Sequence, residues 1–149
     1  MELVARESGY AKATVYAYFK NKDALFRAVA EDVAQRIVGA VETALLGGGT
    51  PAARVGAALQ AKEDLAFDLI HRSPHAAELF AAKHQLSGKL FEDVEARIMA
   101  ALAAAIGGSH GDAKARVLFH AAHGLASAAQ SKRQLLDDLT ILADGILRP

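Results

Sequence analysis

Leu90, Val94, Ile98, Leu102 and Ile106 stand four residues apart in an unbroken row. A row running from 90 to 106 is far longer than an ordinary strand. Wound as a helix, it lays one apolar stripe along one side. The same steps of three and four recur in Leu25, Phe26, Val29, Val33, Ile37, Val41 and Leu45. A chain with such stripes must fold by packing helix on helix. Composition agrees, because alanine, the best helix former, is abundant and there are only three prolines among 149 residues. The β-branched and aromatic runs of a sheet protein are missing. The expectation is an all-α protein.

Other properties narrow the function. The formal net charge is zero, so no global field draws in nucleic acid, and any such binding must come from a local patch. There is no cysteine, which excludes disulfides and thiolate zinc sites. No apolar run reaches a membrane span and no secretion signal opens the sequence, so a cytoplasmic protein is expected. No nucleophile–base pair or ligand cluster stands at a known catalytic spacing, which argues against an enzyme. No cofactor is implied.

Glycine, proline and capping residues divide the chain. Met1 to Ser8 is helical in pattern and Gly9 ends it, since glycine tolerates the left-handed conformation after a helix. A short helix is expected at Lys12–Phe19, with Val15 and Phe19 as its buried stripe. Asn21 caps a long helix that Gly47 to Thr50 terminates. Thr50 and Pro51 open the next one. Ser73 and Pro74 restart the chain as a short helix to about Lys83, and a separate helix is expected over Ser87–Ile106. Two more follow, at about Ala113–Gln130 with Asp112 as cap, and Lys132–Leu147.

Near the start lies "VARESGYAKATVYAYFKNKDALF", Val4 to Phe26. Helix, glycine turn and short helix make a helix-turn-helix pattern. With Val15 and Phe19 buried, the outer face of the second helix is Lys12, Ala13, Thr14, Tyr16, Ala17 and Tyr18. Ammonium and hydroxyl groups there suit phosphate oxygens and base edges. Small Ala13 and Ala17 permit close backbone approach. Lys22 sits at the N-terminus of the long helix, where free N–H groups already favour an anion.

This stretch resembles the signature of the TetR (tetracycline-repressor) family of transcriptional regulators. Val4, Ala5, Gly9, Thr14, Val15, Tyr16, Tyr18, Phe19, Asn21, Lys22, Asp23 and Leu25 occupy the matching positions. The resemblance implies a helix-turn-helix region with its connecting helix over 1–46, and a helical ligand-binding and dimerisation bundle over 50–149. It implies a homodimer on double-stranded operator DNA, released by a small-molecule effector and acting as a repressor. By resemblance Lys12, Ala13, Thr14, Tyr16 and Tyr18 fall where the family touches DNA, and Lys22 where it holds a phosphate.

The resemblance also implies a pocket among the later helices. Candidates for its lining are Phe67, His71, Phe80 and His84, followed by Phe91, Phe119, His120 and His123. His120 and His123, at i and i+3, share a helical face, but no carboxylate stands beside them and zinc wants more donors, so no metal is expected. The family dimerises through its last two helices. Ala121, Gly124 and Ala128 form a strip of small residues that permits close helix approach, and Leu135, Leu139 and Leu142 lie on the apolar face of the final helix.

Two departures from the family pattern carry expectations. Ala11 stands where serine usually caps the recognition helix, and a missing cap costs about 0.5–2 kcal/mol. The family's first helix would precede Met1, so the helix-turn-helix of this chain is incomplete. Val4, Val15, Phe19, Leu25, Phe26 and Val29 would then lose part of their apolar cover. The alternative expectation is therefore a truncated dimerising, ligand-binding module without effective DNA binding.

Overall fold

The computed structural model describes residues 1–72 and 76–148, and the side chains among them other than those of residues 70–87. The described residues form seven helices: α1 (Glu2–Ser8), α2 (Lys12–Tyr18), α3 (Lys22–Leu45), α4 (Pro51–Arg72), α5 (Ala76–Ile106), α6 (Gly111–Ala128) and α7 (Lys132–Leu147). The described residues contain no strand.

The ends of these helices are set by the local chemistry that the sequence suggests. Gly9 takes a φ of 74° after α1, a conformation that would strain a residue with a Cβ. The Asn21 side chain accepts a hydrogen bond from the Ala24 N–H at 2.8 Å and starts α3. Thr50 Oγ1 accepts from the Ala53 N–H at 3.2 Å and starts α4. Ser131 does the same for α7 through the Gln134 N–H. Ala11, by contrast, precedes α2 without any side-chain cap.

The bundle is α3 to α7. α3 lies against α4 and α5, α4 also meets α5, α6 and α7, and α6 packs on both α5 and α7. Its core joins Val38, Val41, Val55, Leu59, Ile98, Leu102, Leu118, Phe119, Leu135 and Leu139, every one buried. The α4–α7 contact is close, since a Cβ on Gly56 would stand 3.3 Å from the Ala143 Cβ. Polar groups fix its register. Gln60 Nε2 donates to the Leu136 carbonyl and to Thr140 Oγ1, and the Lys132 ammonium bridges Asp64 at 2.6 Å and Asp68 at 3.2 Å.

One expected boundary differs. Residues 76–106 form one helix, with no break between Lys83 and Ser87. No proline stands in that interval, and a lone Gly88 costs only about 1 kcal/mol in a helix interior, too little to interrupt it. Ser73 and Pro74, expected to restart the chain, lie outside the described residues. At α6 the helix begins at Gly111, and Asp112 sits in its first turn rather than at its cap.

Candidate nucleic-acid interface

α1 and α2 meet across the Gly9 turn. α2 turns Val15 inward, where it is buried together with Ala5 of α1, while Phe19 at the end of α2 is half-buried. That single anchoring side determines the rest of the helix. Lys12, Ala13, Thr14, Tyr16, Ala17 and Tyr18 are all exposed, and Tyr18, the most open of the large ones, keeps 79% of its surface in solvent. Lys22 is exposed at the first turn of α3. The sequence-predicted residues are thus exposed around α2, away from Val15, and at the start of α3 that follows it.

The face is chemically mixed. It offers the Thr14 hydroxyl, two phenols, two small residues and two ammonium groups. The Lys12 ammonium is paired with the Glu2 carboxylate. The hydrogen bond and the opposite charge hold Glu2 below the usual carboxylate value and raise Lys12 above the ordinary lysine value. A phosphate arriving at Lys12 therefore competes with Glu2, whereas Lys22 has no acidic partner within ion-pair distance among the described residues. Sequence reading gave Lys12 no partner. Glu2 lies ten positions earlier, and the Gly9 turn brings the two together.

Residues 1–29 match the family described as bacterial regulatory proteins, tetR family. Over these residues the chain is similar to that family. The match covers α1, α2 and the opening of α3, the segment whose exposed face has just been described, so the likeness to bacterial regulatory proteins lies in that segment. No curated protein and no solved structure matched the chain.

The remaining candidates are dispersed through the bundle. Phe119 is buried in the core, Phe67 and Phe91 are half-buried, and His120 and His123 are exposed on α6. The side chains of His71, Phe80 and His84 lie outside the described residues. The described residues contain no group of three or more potential metal ligands. None of their helices is long and apolar enough to cross a membrane. On α6, Ala121 is half-buried while Gly124 and Ala128 are exposed, and a Cβ on Gly124 would meet nothing within 4 Å. The small strip is not consumed by a close contact inside the chain.

Leu135 and Leu139 require a correction as dimerisation residues. Both are fully buried against the chain's own core, because the apolar stripe of α7 faces α4 and α6, and they offer no surface to a partner. Leu142 is half-buried. The large exposed apolar side chains of these two helices are Val117 of α6 and Ile141 of α7, neither of which stood out from spacing alone.

Proposed function

We propose that the protein is a ligand-responsive transcriptional repressor that binds operator DNA as a homodimer and is released by a small-molecule effector. The observation that carries this reading is the solvent-facing set Lys12, Ala13, Thr14, Tyr16 and Tyr18 on a helix whose opposite side is anchored by Val15. Such a helix laid in a major groove presents hydroxyls and ammonium groups to phosphates and base edges. Lys22, at the N-terminus of α3, adds a phosphate contact where the helix dipole already favours negative charge.

Dimerisation is supported by the exposed strip Gly124, Ala128 and Val117 on α6, and α7 also carries an exposed apolar side chain, Ile141. The effector would enter the bundle near Phe67, Phe91 and Phe119. α3 links the two activities. Its first turn adjoins the DNA face, and its later turns pack on α4 and α5, where Arg97 donates to Glu42 at 2.6 and 3.0 Å. A ligand that favours one packing of α3 changes the spacing of two reading helices. Half-sites lie about 34 Å apart, so a shift of a few ångströms breaks simultaneous binding.

The test is selection of duplexes from a random pool, followed by anisotropy titration over a range of salt. Lys22→Ala should weaken binding to every sequence alike and lower the salt slope by about one. Tyr16→Ala should change which sequence is preferred. Gly124→Lys should leave the monomer folded and abolish dimers in light scattering. Failure of the selection to enrich any duplex sinks the operator reading. A second reading would then stand, a dimerising ligand-binding module without effective DNA binding. It is favoured by one feature, the exposure of the apolar residues Leu3, Val4 and Val29 around the head.

A further inference from the structure

Glu63, in the middle of α4, is 2% exposed and is the buried charged residue of the described bundle. A carboxylate taken out of water needs a cation or several donors. On a helix the natural partners stand three or four positions away. For Glu63 these are Leu59, Gln60, Ala66 and Phe67, none of them cationic. The cation on α7, Lys132, is committed to Asp64 and Asp68. Glu63 is instead satisfied by its immediate neighbour. The Lys62 ammonium lies 2.5 Å from Glu63 Oε1, and the same nitrogen sits 4.9 Å from the centre of the Phe119 ring. Adjacent helical residues do not face one another, so Lys62 reaches this place only by folding its stem back along the helix.

A buried carboxylate beside an aromatic face is a receptor for an organic cation. Here the receptor is filled by a cation on a flexible four-carbon tether whose side chain is still 12% exposed. We propose that Glu63 and Phe119 form the recognition point for an effector bearing an ammonium group on an apolar body, and that Lys62 is a built-in surrogate which the effector displaces. The proposal rests on the reading of the bundle as a small-molecule sensor and names the ligand class. Lys62 swings out to solvent and the incoming ammonium takes its place between Glu63 and the ring. The apolar body of the ligand lies against Phe67, which shares the face of Glu63 at i+4. Room for the cation comes from the departing Lys62 side chain. Displacement is an exchange of one ion pair for another, so no charge is left buried without a partner.

Calorimetry on the full chain, with phenethylammonium, 2-phenylethanol and phenylacetate as matched probes, tests this. NMR of labelled phenylalanine rings reports where each one binds. Phenethylammonium should bind in preference to the other two and shift the Phe119 ring. Lys62→Met, which keeps the stem and removes the competing charge, should tighten its binding about tenfold. Glu63→Gln should weaken it about tenfold or more. If either variant does not fold, the parent protein decides, and an amine that neither binds in preference to the other two probes nor shifts the Phe119 ring overturns the proposal; where Lys62→Met folds, an unchanged amine affinity overturns it as well. Equal binding of all three probes at Phe119 overturns the cation class and leaves the sensor reading standing, and failure of every probe to bind either protein overturns the proposal outright. Duplex release is scored separately. An amine that seats at Glu63 without altering DNA binding keeps the recognition point and sinks the inducer reading.

Discussion

The head formed by α1 and α2 and the bundle formed by α3 to α7 are both helical, yet they are held together by different amounts of burial. The head buries Ala5 and Val15 and leaves Leu3, Val4, Tyr16 and Tyr18 in solvent. The bundle closes over Leu59, Ile98, Leu102, Leu118, Leu135 and Leu139, each almost entirely removed from water. At roughly 25 cal/mol per Å² of apolar surface, the second region holds nearly all of the hydrophobic stabilisation. The difference teaches what the proposed function asks of one chain. A surface that meets a large polar partner must stay wet, and a short helix with one buried stripe has little left with which to anchor itself.

The sharpest test of this contrast is a cavity in the bundle. Leu118→Ala should cost about 2–5 kcal/mol. The thermal midpoint should fall and head and bundle should unfold together, since α3 belongs to the bundle. Val15→Ala should cost less, about 1–2 kcal/mol for the buried carbons removed. Its effect should stay local, with faster amide exchange in α1 and α2 and an almost unchanged bundle transition. A global loss as large as that of Leu118→Ala would break the comparison. Next in size, Asn21→Ala removes the one side-chain cap at the junction of head and bundle and should cost about 1 kcal/mol. Faster exchange confined to the first turn of α3 is the expected signature.

The smallest effects come from titration, and they separate the regions by sign. In the bundle, Lys132 is raised above the ordinary value of 10.5 by its hydrogen bonds to Asp64 and Asp68. Its stabilisation is complete below that value and disappears as pH rises through the folded one. In the head, Glu2 is lowered from 4.5 chiefly by its hydrogen bond to Lys12, so its contribution is present above 4.5 and is lost as pH falls through the folded value. Lys132→Met should therefore flatten the alkaline limb of the stability profile, and Glu2→Gln should slow the acid loosening of α1 and α2 seen by exchange. An alkaline limb of the same steepness in Lys132→Met would show that other groups govern it.

Much of this was legible before any coordinates. The i,i+4 rows at Leu90–Ile106 and through α3, the glycine at position 9, and the caps Asn21 and Thr50 are local features, and local hydrogen bonding realises them as written. The outward set on α2 was legible for the same reason, because once Val15 faces inward the 3.6-residue period assigns every other side chain. The continuity of α5 was missed because the capping signals near Ser73 and Ser87 resemble starts. A helix interrupts only where its backbone is blocked, and nothing between Lys83 and Ser87 blocks it.

What the sequence by itself determined is the helical class, the outward placing of the α2 side chains, and the likeness of the first residues to one family. All of these follow from spacing within a few turns. Only the tertiary structure decided that Leu135 and Leu139 lie inside the chain, that Glu2 holds Lys12, and that Glu63 is buried with its neighbour folded over Phe119. Each depends on which helix lies opposite, or on how far a side chain must reach once water is excluded, and periodicity along one helix carries no information about either.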